Sequence, residues 1–168
     1  MGKAKFFDAP EVEKIAEDLI NKYHNHLKEN NVRIRYVFTD KTPNCKGKEI
    51  WGTCRKVSGL NAYLESDDPE TDPFFVITIS KDIWDILPKD KKIALVDHEL
   101  CHAIVDVKEK ESEDEEDIEI EKTFKIAIKP HDLEEFSCIV RRHGLWREDI
   151  QDFVEAAIKS KEKEKENE

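Results

Sequence analysis

Pro88-Lys89-Asp90-Lys91-Lys92-Ile93-Ala94-Leu95-Val96-Asp97-His98-Glu99-Leu100-Cys101-His102-Ala103-Ile104-Val105 places Ile93, Val96, Leu100 and Ile104 at three- and four-residue steps. That period predicts an α-helix over 88–105. Ala94, Leu95 and Ala103 spread apolar surface around the cylinder, so the helix is expected to be buried. Within it stands His98-Glu99-Leu100-Cys101-His102, an H-E-x-x-H pattern. Residues four apart share a helix face, so two imidazoles there can hold one Zn²⁺ at about 2.0–2.1 Å. Glu99 projects roughly 100° around the helix from His98. From beside the metal, its carboxylate can take a proton from the water that the ion activates. The plain alternative is a surface helix whose His and Glu are unrelated.

A catalytic zinc needs three protein ligands and one open position, so a third donor must come from elsewhere. Lys129-Pro130-His131-Asp132-Leu133-Glu134-Glu135-Phe136 supplies the candidates. His131 ranks first because it falls where a strand is expected to end and a helix to begin, a junction that can aim a side chain into a cleft. Glu135 ranks second, since a helical Glu can serve as third ligand, and Glu134 third. With Asp132 as N-cap, Glu135 would equally suit a capping box. His24 and His26 stand two apart on an expected helix, a spacing that splays side chains, and read as surface residues. His143 reads as a helix-terminal cation. Cys101 and Cys138 read as small core residues.

Outward from the motif, Phe74 to Ser80 is a β-branched and aromatic run, expected as a strand buried on both faces, with Ser80 capping a short helix through Leu87. Val32, Ile34, Tyr36 and Phe38 alternate as in a half-buried strand. A further strand is expected over 50–57, where Gly52 would mark a bulge. Val12, Ile15, Ala16, Leu19, Ile20, Tyr23 and Leu27 form one helical stripe that begins near Asp8 and Pro10. Residues 58–73 read as a loop around Ala62-Tyr63-Leu64. Residues 122–129 read as a strand, and 132–143 as a helix with Leu133, Phe136, Ile139 and Val140 inward, closed by a left-handed Gly144. A last helix carries Ile150, Phe153, Val154, Ala157 and Ile158.

Composition bounds the possibilities. The 168 residues carry 39 acidic against 28 basic side chains, a net charge of −11, with 40% charged residues. One domain over 1–160 is expected, with a mobile acidic insert or solvated hairpin arm at 109–121 and a charged, disordered tail at 161–168. No apolar run is long enough for a membrane span, and Asp8 interrupts any signal-peptide core, so a soluble, cytoplasmic protein without a membrane partner is expected. Cys45, Cys54, Cys101 and Cys138 lack Cys-x-x-Cys spacing and read as reduced thiols. Residues 28–56 hold eight basic and three acidic residues, a local +5, which keeps nucleic acid as a secondary candidate partner.

Val96-Asp97-His98-Glu99-Leu100-Cys101-His102-Ala103, Pro130-His131-Asp132-Leu133-Glu134-Glu135-Phe136 and Arg141-Arg142-His143-Gly144-Leu145-Trp146 together resemble the phage-type metallopeptidases. These are small zincin-like domains related in plan to SprT-like proteases, and the likeness spans most of 32–146. The resemblance implies an α+β minimal metalloprotease fold, with a small mixed sheet packed on the active-site helix and helices around it. It implies His98 and His102 as zinc ligands, Glu99 as general base, His131 as third ligand, and a protein or peptide substrate lying along an edge strand. The acidic insert at 109–121 matches nothing in that pattern. Tyr63, Arg141 and His143 are candidate oxyanion donors. The alternative function is a non-catalytic zinc-containing module, associated with nucleoprotein through residues 28–56.

Overall fold

The computed structural model describes residues 2–66, 68, 72–111, 120–133, 135 and 137–166. It is a mixed α/β chain that divides into two compact units, Met1–Lys129 and Pro130–Glu168. Such a mixture of small sheets and helices is compatible with the α+β class.

In the first unit, Phe6–Asp8 (β1), Arg33–Thr39 (β2), Gly52–Lys56 (β5) and Phe74–Ser80 (β6) form a mixed sheet in the order β1-β2-β6-β5. β2 runs parallel to β6, while β1 and β5 pair antiparallel to their neighbours. Paired residues in adjacent strands point to the same face. One face therefore carries the rows Tyr36–Ile77–Cys54 and Phe38–Ile79–Gly52, and their apolar members lie in the core. The strand expected at 74–80 is one of the two interior strands, and five of its seven residues are buried, which is why its sequence shows no polar alternation. Asn44–Cys45 (β3) and Lys48–Glu49 (β4) add a two-residue ladder, turned through Lys46 and Gly47 at positive φ.

Pro10–Tyr23 (α1) buries Val12, Ala16 and Leu19 as the stripe predicts, but Tyr23 is 70% exposed. The helix stops at His24, with φ −125° and ψ 42°, and restarts as Asn25–Glu29 (α2), which turns Leu27 back into the core. Gly59–Glu65 (α3) occupies the segment read as a loop around 62–64; within that segment, residues 67 and 69–71 lie outside the described ones. Lys81–Ile86 (α4) follows Ser80, whose hydroxyl meets Thr42 Oγ1 at 2.5 Å rather than capping the helix. Trp84, 1% exposed, donates from Nε1 to Glu11 Oε2 at 2.8 Å, tying α4 to α1.

The motif helix, Lys89–Cys101 (α5), is shorter than the expected 88–105. His102 is its C-cap, and Ala103–Glu111 (β7) begins at once, paired antiparallel with Ile120–Ile128 (β8). Val105 lies opposite Ile126 and Val107 opposite Phe124. Cross-strand pairing of these residues outweighs the local helical spacing that had included Ile104. α5 is also buried on one side only: Val96, Glu99 and Leu100 are covered, while Ala94 is exposed. The ends of the acidic insert are hairpin strands through Glu111 and from Ile120; its middle, 112–119, lies outside the described residues.

The second unit contains Ser137–His143 (α6) and Glu148–Glu166 (α7). α6 starts at Ser137, five residues later than the sequence predicts, so Asp132 is not its N-cap. Gly144 has φ 69° and its N–H donates to Val140 O at 2.9 Å, the left-handed close expected of it. α7 continues to Glu166, through most of the segment read as a tail. Alternating Lys and Glu are good helix formers and place opposite charges three apart. Phe153 and Ile158, expected on a covered stripe, are 55% and 51% exposed.

Candidate metal centre

α5 presents His98 and His102 one turn apart, their ring centroids 5.1 Å from each other and nearly perpendicular. His98 is exposed and His102 half-buried, so the pair faces out of the core. His102 is held from outside the helix: its Nδ1 lies 2.6 Å from the carbonyl oxygen of Lys129, and the Lys129 N–H donates to His102 O at 2.8 Å. A carbonyl only accepts, so Nδ1 carries the hydrogen of this bond. This is the outer hydrogen bond that metal-binding histidines use to fix tautomer and ring orientation. The donor chemistry therefore fits a zinc ion.

Glu99 points the other way, toward the sheet, and is 3% exposed. Its carboxylate fits over β5 because residue 52 has no side chain: a Cβ there would lie 2.7 Å from Glu99 Oε1 and 2.9 Å from Ile79 Cδ1. Gly52 pairs in register with Ile79, so it marks a close approach and not the expected bulge. Burial pushes the Glu99 carboxyl up to about 7, against the opposing pull of His102. One row along the sheet, burial and then the nearby Glu99 charge push the Cys54 thiol up to about 12.

A cleft of about 400 Å³ opens between α5 and the segment leading into β5, lined by Glu49, Ile50, Trp51, Gly52, Lys91, Ala94, Leu95, His98 and Glu99. Lys91 brings a cation to this cleft, which the sequence reading had not singled out. β5 is an edge of its sheet. Tyr63 stands on α3, 69% exposed, and is not among the lining residues.

His131 opens the second unit, an exposed residue ahead of α6, and Glu135 is half-buried in the same unit. Glu134 and Phe136 lie outside the described residues. Arg141 and His143 are exposed at the end of α6. Lys129, which grips His102 at both backbone atoms, is the last residue of the first unit. His131 follows it by two peptide units, so its Cα can lie no further than about 7 Å from that of Lys129.

His24 departs from the surface reading. It is 6% exposed, and its Nε2 lies 2.6 Å from Asp97 Oδ1. The break between α1 and α2 turns the ring inward and brings it within 6.1 Å of His26, whose Nε2 reaches Ala103 O at 3.4 Å. All four cysteines are free thiols, and of them only Cys54 is buried.

A family model described as "Putative phage metallopeptidase" matches residues 4–158. No curated protein and no solved structure matches the chain.

Proposed function

Since the chain belongs to the Putative phage metallopeptidase family, we propose that it is a zinc-dependent peptidase, with His98 and His102 as ligands, His131 as the third and Glu99 as general base. The observation that carries this reading is the His102 imidazole oriented by its Nδ1 contact with Lys129 O, with the His98 ring beside it one turn away on the same helix. Glu135 is the alternative third ligand. The corresponding fold is the zincin plan: α5 against a small mixed sheet whose edge strand, β5, borders the cleft.

A zinc ion held there by these residues would supply Lewis acidity, lowering the pKa of a water toward about 7 and polarising a peptide carbonyl. Glu99 takes a proton from the attacking water and delivers it to the leaving amine nitrogen. A carboxyl poised near pH 7 suits both halves of that transfer. The side-chain-free surface at Gly52 keeps the carboxylate in place, and β5, the last strand in its sheet, would be the strand along which an extended peptide pairs.

A non-catalytic zinc module bound to nucleoprotein ranks second. Arg33 and Arg35 of the basic segment already pair with Asp72 and Asp8, which lowers the charge available to phosphates. The deciding experiment is Glu99→Gln in the full chain: zinc content stays at the wild-type level while hydrolysis of an unfolded protein is lost. Wild-type turnover by that variant refutes the mechanism.

A further inference from the structure

Beside the H-E-x-x-H pair, α5 carries a second pair of ligand-type residues at the same spacing. Asp97 and Cys101 each precede one of the histidines, so they lie one turn apart on a face roughly 100° away. His24, from the α1–α2 junction, meets that face. One ligating atom from each of His24, Asp97 and Cys101 lies within 4.8 Å of the others. His24 is the buried member, Asp97 is half-buried and Cys101 exposed, so the cluster is rooted in the protein and open to solvent on one side.

We propose that His24, Asp97 and Cys101 form a second divalent-metal site, suited to zinc and distinct from the peptidase centre. The donor set is one imidazole, one carboxylate and one thiolate, the mixture a borderline-soft cation accepts, with the exposed side left for water as fourth ligand. His24 Nε2 and Asp97 Oδ1 are 2.6 Å apart, while two donors of one tetrahedral zinc sit about 3.3 Å apart. Metal entry therefore displaces the proton shared by this pair, widens it by several tenths of an ångström and releases the Cys101 thiol proton to solvent. Neither step requires an oxidant or a co-reactant. Bound there, the ion clamps the α1–α2 junction to α5 immediately before His98, and so fixes the helix end that presents the peptidase ligands.

The test uses the full-length, metal-stripped chain titrated with Co²⁺, followed by ultraviolet absorption and equilibrium dialysis. The His98/His102/His131 set contains no sulfur, so a thiolate-to-cobalt charge-transfer band reports this second site alone. Wild type is expected to bind two equivalents and show the band. Cys101→Ser loses the band and one equivalent, and so does Asp97→Asn; Cys138→Ser keeps both. A His98→Ala/His102→Ala double variant loses one equivalent but keeps the band, which separates failure of this site from failure of the peptidase centre. Absence of the band in wild type, or its persistence in Cys101→Ser, overturns the proposal.

Discussion

Glu99 and Gly52 occupy the same space from opposite sides: the carboxylate of the helix stands where the strand's Cβ would be, 2.7 Å from its Oε1. Gly52 is needed for room, not for backbone freedom. The atoms that an added methyl meets belong to the ends of two flexible side chains, Glu99 and Ile79, so the fold can yield while the Glu99 carboxylate moves.

Gly52→Ala is accordingly expected to cost about 1–3 kcal/mol of stability through overpacking, and to lower kcat/KM by about 100-fold, with zinc content unchanged. Urea unfolding, metal analysis and peptidase assays on the same preparation check this. Unaltered kcat/KM would show that the position of Glu99 does not depend on the gap at residue 52.

Stability of the metal-free protein should depend on pH through Glu99. Its carboxyl is raised from an ordinary 4.5 to about 7, so the fold favours the protonated form. The resulting stabilisation is complete below about 4.5 and is lost as the pH rises through about 7. Metal-free Glu99→Gln has no proton to lose there, so relative to wild type it gains stability steadily between those two values. Urea midpoints of both proteins across that range test it; parallel curves would contradict it.

The third ligand is separable by affinity. His131→Ala is expected to weaken zinc binding by more than the roughly 10- to 100-fold that removing an outer-shell partner costs, and Glu135→Ala by less. Competitive titration with a chromophoric chelator measures both, and the reverse order would transfer the role to Glu135.

Trp84 joins packing to a hydrogen bond, since its ring is 5.7 Å from that of Phe38 and its N–H meets Glu11. Trp84→Ala should destabilise the chain by about 3–5 kcal/mol, read from urea unfolding, while the zinc stoichiometry of the surviving folded fraction stays the same. A loss below 1 kcal/mol would mean that α4 is not part of the core.

Local spacing was sufficient wherever one element carries all the information. His98 and His102 share a face because four residues make one turn, the Phe74–Ser80 strand follows from an unbroken β-branched run, and Gly144 closes a helix because a left-handed residue is needed there. Each of these rests on interactions a few residues long. The length of the motif helix was not of this kind: Ile104 and Val105 fit either period, and pairing with Ile126 and Ala127, more than twenty residues away, decides for the strand. The same holds for His24, whose sequence neighbours suggest a surface helix but whose partner is Asp97. Gly52 and the Lys129 carbonyl likewise act on the motif through space, one by leaving room for Glu99 and the other by holding His102. The sequence by itself determined which ligand-type residues share one helix face, because side-chain type and helical phase are local. Only the tertiary structure decided the burial of Glu99, the tautomer of His102 and the company of Asp97 and Cys101, because desolvation and hydrogen bonding depend on which distant segments the fold brings together.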